Sequence, residues 1–183
     1  MNKGISLASG DVIGIINSDD FYVHDRVIEN ISKQITIARS DSIYADIIYV
    51  DSAHPEKQVR YWSSKHFVKR SFSKGWHPPH PTFFVKKEIY QKYGLFNLKF
   101  KLAADFELMI RFLEKHGITT SYFPVAIIKM RVGGATNKNL SNIIMQNIEC
   151  YNAFKTNSIP VSFMYPVYRL LPKLKQFFTK PIP

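Results

Sequence analysis

The sequence has a single cysteine, Cys150, in 183 residues. No disulfide can close within the chain, and a reducing compartment is the simpler setting. No run approaches the ~20 apolar residues that span a bilayer, and the N-terminus lacks the continuous apolar stretch of a secretory signal. A span is therefore not expected, although contact with a membrane surface stays open. Acidic residues are scarce: 14 Asp and Glu face 25 Lys and Arg, a formal net charge of +11. That imbalance favours acidic partners such as nucleotide phosphates, nucleic acid or an anionic membrane face. No nucleic-acid recognition motif and no obvious basic helix accompany the charge, so nucleic acid is not expected as a partner. Internal repeats and low-complexity segments are also missing. What is present suits one packed domain: 45% hydrophobic and 21% charged residues, with 14% aromatics that serve core packing and sugar or base stacking equally.

Apolar spacing divides the chain into alternating elements. Asn2 to Ser9 reads as the last turns of a helix, closed by Gly10. Asp11 to Asn17 reads as a strand buried on both faces of a parallel sheet. Val27, Ile28, Ile31, Ile35 and Ala38 have helical spacing. "SIYADIIYVD" and "VRYWSS" are strand candidates. "KGWHPPHPTFFV" begins as a proline-stiffened loop and ends as a strand, before a short helix from Lys87 to Tyr93. Phe106, Met109, Ile110 and Leu113 form an amphipathic helix that Gly117 stops. "TSYFPVAIIKMRV" is extended, with Pro124 restricting it to an edge or a bulge. "GGATNKN" is a turn, Leu140 to Phe154 is helical, and Val161 to Phe178 is a basic, aromatic tail. Strands alternating with helices define an α/β class.

The chemistry concentrates in "GDVIGIINSDDFY", where an apolar run ends in adjacent carboxylates, Asp19 and Asp20. Strand ends of open α/β sheets are where ligands bind. Two neighbouring carboxylates repel, and a hard divalent cation, with oxygen ligands and substrate phosphates, relieves that repulsion. The competing reading makes one aspartate a helix cap and leaves the other solvated. His77 and His80 have H-x-x-H spacing, but no further ligand stands nearby and the intervening prolines hold the loop extended, which argues against zinc. Trp76 suits either a sugar face or the core.

Several stretches together resemble the family 2 glycosyltransferases of bacterial polysaccharide assembly, which have the GT-A fold. "NKGISLASGDVIGIINSDDFY" is similar to the helix, strand and DxD-type motif of that family. "HPTFFVKKEIYQKYGLFN", "AADFELMIRF" and "MRVGGATNKN" follow in family order, so the resemblance covers roughly Asn2 to Asn139. It implies a partial GT-A, Rossmann-like mixed sheet flanked by helices, and an inverting transfer of sugar from a nucleotide diphosphate to an acceptor hydroxyl. The acceptor would be a saccharide or a lipid-linked sugar in surface polysaccharide or lipopolysaccharide synthesis. It implies Mn²⁺ or Mg²⁺ at Asp20, assisted by Asp19, with Asn17 and Ser18 beside the donor. It makes Asp105 the general base, although Asp105 can equally be the N-cap of its own helix. His80, Glu107, Gly133 and Gly134 are implied near donor or acceptor, with Glu107 as reserve base. Arg111 reaches either a phosphate or a carboxylate of its own helix.

The resemblance also implies a departure, because the family's first strands have no counterpart here. The expected organisation is a truncated GT-A domain over residues 1–139 and a helical, basic extension over 140–183. An N-terminal partner chain or a homo-oligomer would complete the donor pocket. The tail, with Arg169, Lys173 and Lys175, suits either an anionic membrane or the domain's own core. The expected location is cytoplasmic, peripheral on the inner face of the plasma membrane. The alternative function is an inactive glycosyltransferase remnant that binds a membrane or a subunit.

Overall fold

The structure is a computed structural model that describes residues 1–132, 140–167 and 169. Gly133, Gly134, the "GGATNKN" turn and most of the tail beyond Val167 lie outside the described residues. In chain order the elements are α1 (Asn2–Leu7), β1 (Val12–Ile13), β2 (Phe21–Tyr22), α2 (Val27–Ala38), β3 (Ser42–Val50), β4 (Gln58–Trp62), β5 (Phe84–Lys86), α3 (Lys87–Tyr93), α4 (Ala104–Met109), β6 (Thr120–Arg131) and α5 (Leu140–Thr156). After Met109 the α4 helix widens to a π-helical turn over Ile110–Lys115. Gly117, at φ 61°, then ends it.

The sheet is built outward from β3, whose residues are apolar toward both faces. Ile43, Tyr44, Ala45 and Ile47 are all buried. Such a strand needs neighbours on both edges and cover on both faces. β6 supplies one edge, running parallel from Ser42 opposite Thr120 to Val50 opposite Arg131. The pairing jumps from Ala45–Phe123 to Asp46–Ala126, so Pro124 and Val125 bulge out of the ladder. Proline has no N–H to donate, and the bulge lets β6 remain an interior strand. β5 and β4 share the other edge, both antiparallel to β3. β1 and β2 close the sheet at its two ends, giving the order β1-β5-β3-β6-β2 with β4 beside β3.

Two cores cover the faces. Val27, Ile31 and Ile35, one helical stripe of α2, pack on Ile43, Ala45, Phe84, Ile127 and Ile128. Burying each such aliphatic side chain stabilises the fold by ~1.5–3 kcal/mol. The opposite face is thicker. There α3, α4 and α5 contribute Ile89, Phe106, Leu108 and Phe154 against Tyr44, Phe72 and Val85. The observed architecture is a mixed α/β sheet flanked by helices, as the sequence implied.

The region before Asp20 differs from expectation. Only Val12 and Ile13 of the apolar run join the sheet, antiparallel to Lys86 and Val85 at its edge. They do not form a strand buried within a parallel sheet, because β5 runs between β1 and β3. An apolar run reports burial but not the direction of its neighbour. α1 likewise ends at Leu7, with Ala8 already extended, rather than at Gly10. At Gly14 the chain passes against Phe84, where a Cβ would lie 2.2 Å from the ring. The following loop carries the chain across to β2, whose Phe21 sits opposite Lys129 of β6. Lys129 is level with Ile48 of β3. Asp19 and Asp20 thus stand at the carboxyl end of the parallel pair, where α/β sheets bind ligands.

Candidate active site

The loop before β2 carries four of the residues the sequence pointed to, Asn17, Ser18, Asp19 and Asp20. Asn17 Nδ2 donates to Asp20 Oδ2 at 2.7 Å, and Asp20 N donates to the Asn17 carbonyl at 3.2 Å. Ser18, Asp19, Asp20 and Phe21 line an open pocket of about 640 Å³, with Pro55 and Arg131 opposite. The second carboxylate oxygen of Asp20, Oδ1, is buried and has no hydrogen-bond partner among the described residues. Burial raises the Asp20 carboxyl above its usual range; the Asn17 bond lowers it in part, and the Asp19 charge raises it further. The arrangement is an acceptor without a donor, beside a like charge. A cation, a proton or a hydrogen-bond donor would relieve it.

Asp105 lies in the first turn of α4, partly exposed, and its Oδ1 accepts from the adjacent Phe106 N–H at 2.8 Å. The capping role is shared. Glu149 of α5 accepts from the backbone N–H groups of Lys101, Leu102 and Ala103 at 3.1, 2.8 and 2.9 Å. A carboxylate from another helix thus takes the backbone donors just ahead of α4, while Asp105 takes one inside its first turn. His80 stands close enough for the Asp105 charge to act on it. Burial lowers the imidazole below its ordinary value, and Asp105 pulls it back up. The ring meets Phe96 edge-on at 5.7 Å. Its turn is pinned to the centre of β3, because the Thr82 hydroxyl accepts from Ala45 N–H and donates to the Ala45 carbonyl.

Glu107, Arg111 and Trp76 make scaffold contacts, which for Arg111 and Trp76 is one of the two roles the sequence offered. Glu107 is 1% exposed. Its carboxylate accepts from Arg111 Nε and Nη2 at 3.0 and 3.1 Å and from Asn157 Nδ2 at 3.0 Å. Arg111 also donates to the carbonyls of Tyr93, Gly94 and Leu95. The pair therefore clamps α4 to the end of α3 and has no donor left for a phosphate. Trp76 packs on Tyr44, Phe67 and Phe72 at ring separations of 5.5–5.9 Å and donates to the Ser64 carbonyl. It belongs to the core. The buried Asp46 is scaffold too, accepting from Tyr61, Tyr122 and Ser64.

Sequence reading missed Arg131, Tyr49 and Glu149. Arg131 could have been found as the cation ending the strand before "GG". Burial raises the Tyr49 phenol above its usual range, Arg60, 4.0 Å over its ring, lowers it in part, and the Asp20 charge adds a further rise. Only the tertiary fold reveals that neighbourhood, because Tyr49 and Asp20 lie on different elements. Among the described residues no cluster of three or more His, Cys, Asp or Glu side chains is arranged as a metal site. The Asp19–Asp20 pair supplies two carboxylates and leaves the other positions of a hard cation to substrate and water.

No family model matches the chain, and no curated protein sequence matches it. Solved structures do. S. aureus TarS 1-349 in complex with UDP-GlcNAc superposes with a TM-score of 0.61 at 13% identity, covering 97% of this chain and 51% of that one. The complex of the same protein with UDP gives a TM-score of 0.53 at 15% identity, covering 97% and 50%. A longer TarS structure gives 0.55 at 15% identity, covering 97% of this chain and 30% of its own. The chain thus spans a third to a half of the structures it resembles. At these identities the likeness is one of fold: this chain has the fold of part of TarS, a glycosyltransferase.

Proposed function

We propose that the protein is an inverting, metal-dependent glycosyltransferase of the family 2 type. It would move a sugar from a nucleotide diphosphate to an acceptor hydroxyl in surface polysaccharide or lipopolysaccharide synthesis. The observation that carries this reading is the unpartnered buried oxygen of Asp20 at the carboxyl end of β3 and β6. It occurs in a fold shared with a protein crystallised with UDP-GlcNAc and UDP.

The residues present fit a hard divalent ion. Asp20 and Asp19 would hold Mn²⁺ or Mg²⁺, and the ion would supply positive charge against the leaving diphosphate. The chain's own residues do the rest. Asn17 fixes Asp20, and Arg131 adds a permanent positive charge on the pocket wall. Asp105 takes the proton from the acceptor hydroxyl as that oxygen bonds to the anomeric carbon. The bond from that carbon to the diphosphate oxygen breaks, and the nucleotide diphosphate leaves. His80, kept neutral by burial, holds the Asp105 side of the site without adding charge.

A second reading, a module that docks on a membrane or subunit, draws support from exposed apolar side chains. Ile144 and Ile148 project from α5, and Phe163, 82% exposed, follows it. The two readings separate by calorimetric titration of UDP into the chain with and without Mn²⁺. The proposed enzyme binds UDP in a Mn²⁺-dependent way, and Asp20→Asn weakens that binding by about tenfold or more. Metal-independent or absent binding would leave the docking module.

A further inference from the structure

The positive charge of the chain is unevenly placed. Between Glu56 and Glu88 there is no acidic residue, while eight of the 25 Lys and Arg fall in that stretch. Four of them, Lys65, Lys69, Arg70 and Lys74, lie in the connection from β4 to β5, and all four are exposed. The carboxylates that form ion pairs among the described residues, Glu29, Asp41, Glu56, Glu88 and Glu107, are engaged with other cations. Buried Glu114 does reach the loop, but it accepts from the Arg70 backbone N–H at 2.9 Å and so fixes the chain.

The loop that carries these cations is pinned at several points. The Lys65 carbonyl accepts from the Tyr44 hydroxyl at 2.8 Å, and Trp76 donates to the Ser64 carbonyl. Phe72 is buried and meets Phe106 of α4 at 5.6 Å between ring centroids. Lys65 and Arg70 hold left-handed backbone, at φ 59° and 72°, which residues with a side chain adopt rarely. Such conformations persist where the surroundings impose them, and they cluster at binding sites. Here the partners that impose them, Tyr44 and Glu114, are buried, and the two side chains left at the surface are cations. The loop therefore presents fixed positive charge and, through Phe72, borders the helix that carries Asp105.

Charge alone would suit three kinds of partner. A bilayer surface asks for apolar side chains to bury. The exposed large apolar residue of this loop is Val68, at 66%, whereas Phe67, Phe72 and Trp76 pack on the core. A single-stranded nucleic acid asks for rings on which bases stack, and the same three rings are turned inward. An acidic glycan asks only for cations held at intervals on a firm surface. We propose that Lys65, Lys69, Arg70 and Lys74 bind the acceptor, and that the acceptor is a glycan carrying carboxylates or phosphodiesters along its length. This rests on the glycosyltransferase reading and adds to it the chemical class of the acceptor.

The test is fluorescence anisotropy of the full chain with labelled polygalacturonate and labelled polyphosphate, with neutral dextran as the blank. Wild type is compared with Lys65→Gln/Lys69→Gln/Lys74→Gln. A control of equal charge, Lys3→Gln/Lys99→Gln/Lys115→Gln, changes exposed lysines elsewhere. Wild type should bind at least one acidic polymer in a salt-sensitive way and ignore dextran. The loop variant should lose about tenfold in affinity, and the control less than about twofold. The single change Lys69→Gln, expected to cost about two- to threefold, gives the answer if the triple variant does not fold. UDP with Mn²⁺ should leave polymer binding intact, because donor and acceptor occupy different places. Equal losses in the two triple variants, or displacement of the polymer by UDP, overturn the proposal. So does tighter binding to phosphatidylglycerol vesicles or to oligo-dT than to either polymer. Absence of UDP binding to wild type is the separate failure of the glycosyltransferase reading, and it removes the acceptor role with it.

Discussion

The two candidate carboxylate neighbourhoods, around Asp105 and around Asp20, are built on opposite principles. Around Asp105 nearly every polar group has a partner. Glu107 is held by Arg111 and Asn157, Glu149 holds the backbone ahead of α4, and Arg111 spends its remaining donors on three carbonyls. Around Asp20 the reverse holds: two like charges are adjacent, and one buried oxygen has no partner among the described residues. Glu107 has its bonds complete, whereas Asp20 combines an unpartnered oxygen with a like charge beside it and an open pocket in front of it. The contrast separates Glu107 from Asp20 and Asp105, which residue type alone could not do.

The comparison breaks most visibly at Asp105. Asp105→Asn should lower single-turnover transfer ~10²–10⁴-fold, the usual worth of a positioned base. The unfolding midpoint should stay put; a matching loss of stability would make Asp105 scaffold as well. Next comes Glu107→Ala, which leaves the Arg111 charge buried without its partner. It should cost about 3–5 kcal/mol in urea unfolding, and a cost near zero would end the distinction between the two neighbourhoods.

The smallest effect carries the most informative sign. The Asp20 carboxyl titrates above its ordinary value in the fold. The folded, metal-free chain therefore binds more protons than the unfolded chain in the window above the ordinary aspartate pKa, and stability falls as pH rises through it. Asp20→Asn should remove that dependence and leave the metal-free chain equally stable or more stable at neutral pH, by less than about 1 kcal/mol. Saturating Mn²⁺ should invert the order and make wild type the more stable protein. A clear destabilisation by Asp20→Asn without metal would return Asp20 to the scaffold.

Much of the fold was legible from local pattern. The helices at Val27–Ala38 and Lys87–Tyr93, the buried strand at Ser42–Val50 and the bulge at Pro124 all follow from side-chain period and backbone restriction. β1 was not legible in the same way. Its pairing depends on a strand some seventy residues later, and hydrophobicity carries no direction.

The sequence by itself determined most of the elements and the positive charge, which depend on composition and near neighbours along the chain, whereas the pairing of β2 with β6 carried Asp19 and Asp20 to the carboxyl end of β3 and β6. Only the tertiary structure decided which acids are spent and which remain. Whether a carboxylate meets Arg111, Asn157, a distant helix's backbone or no donor depends on groups dozens of residues away. The same long-range packing set Trp76 against the core.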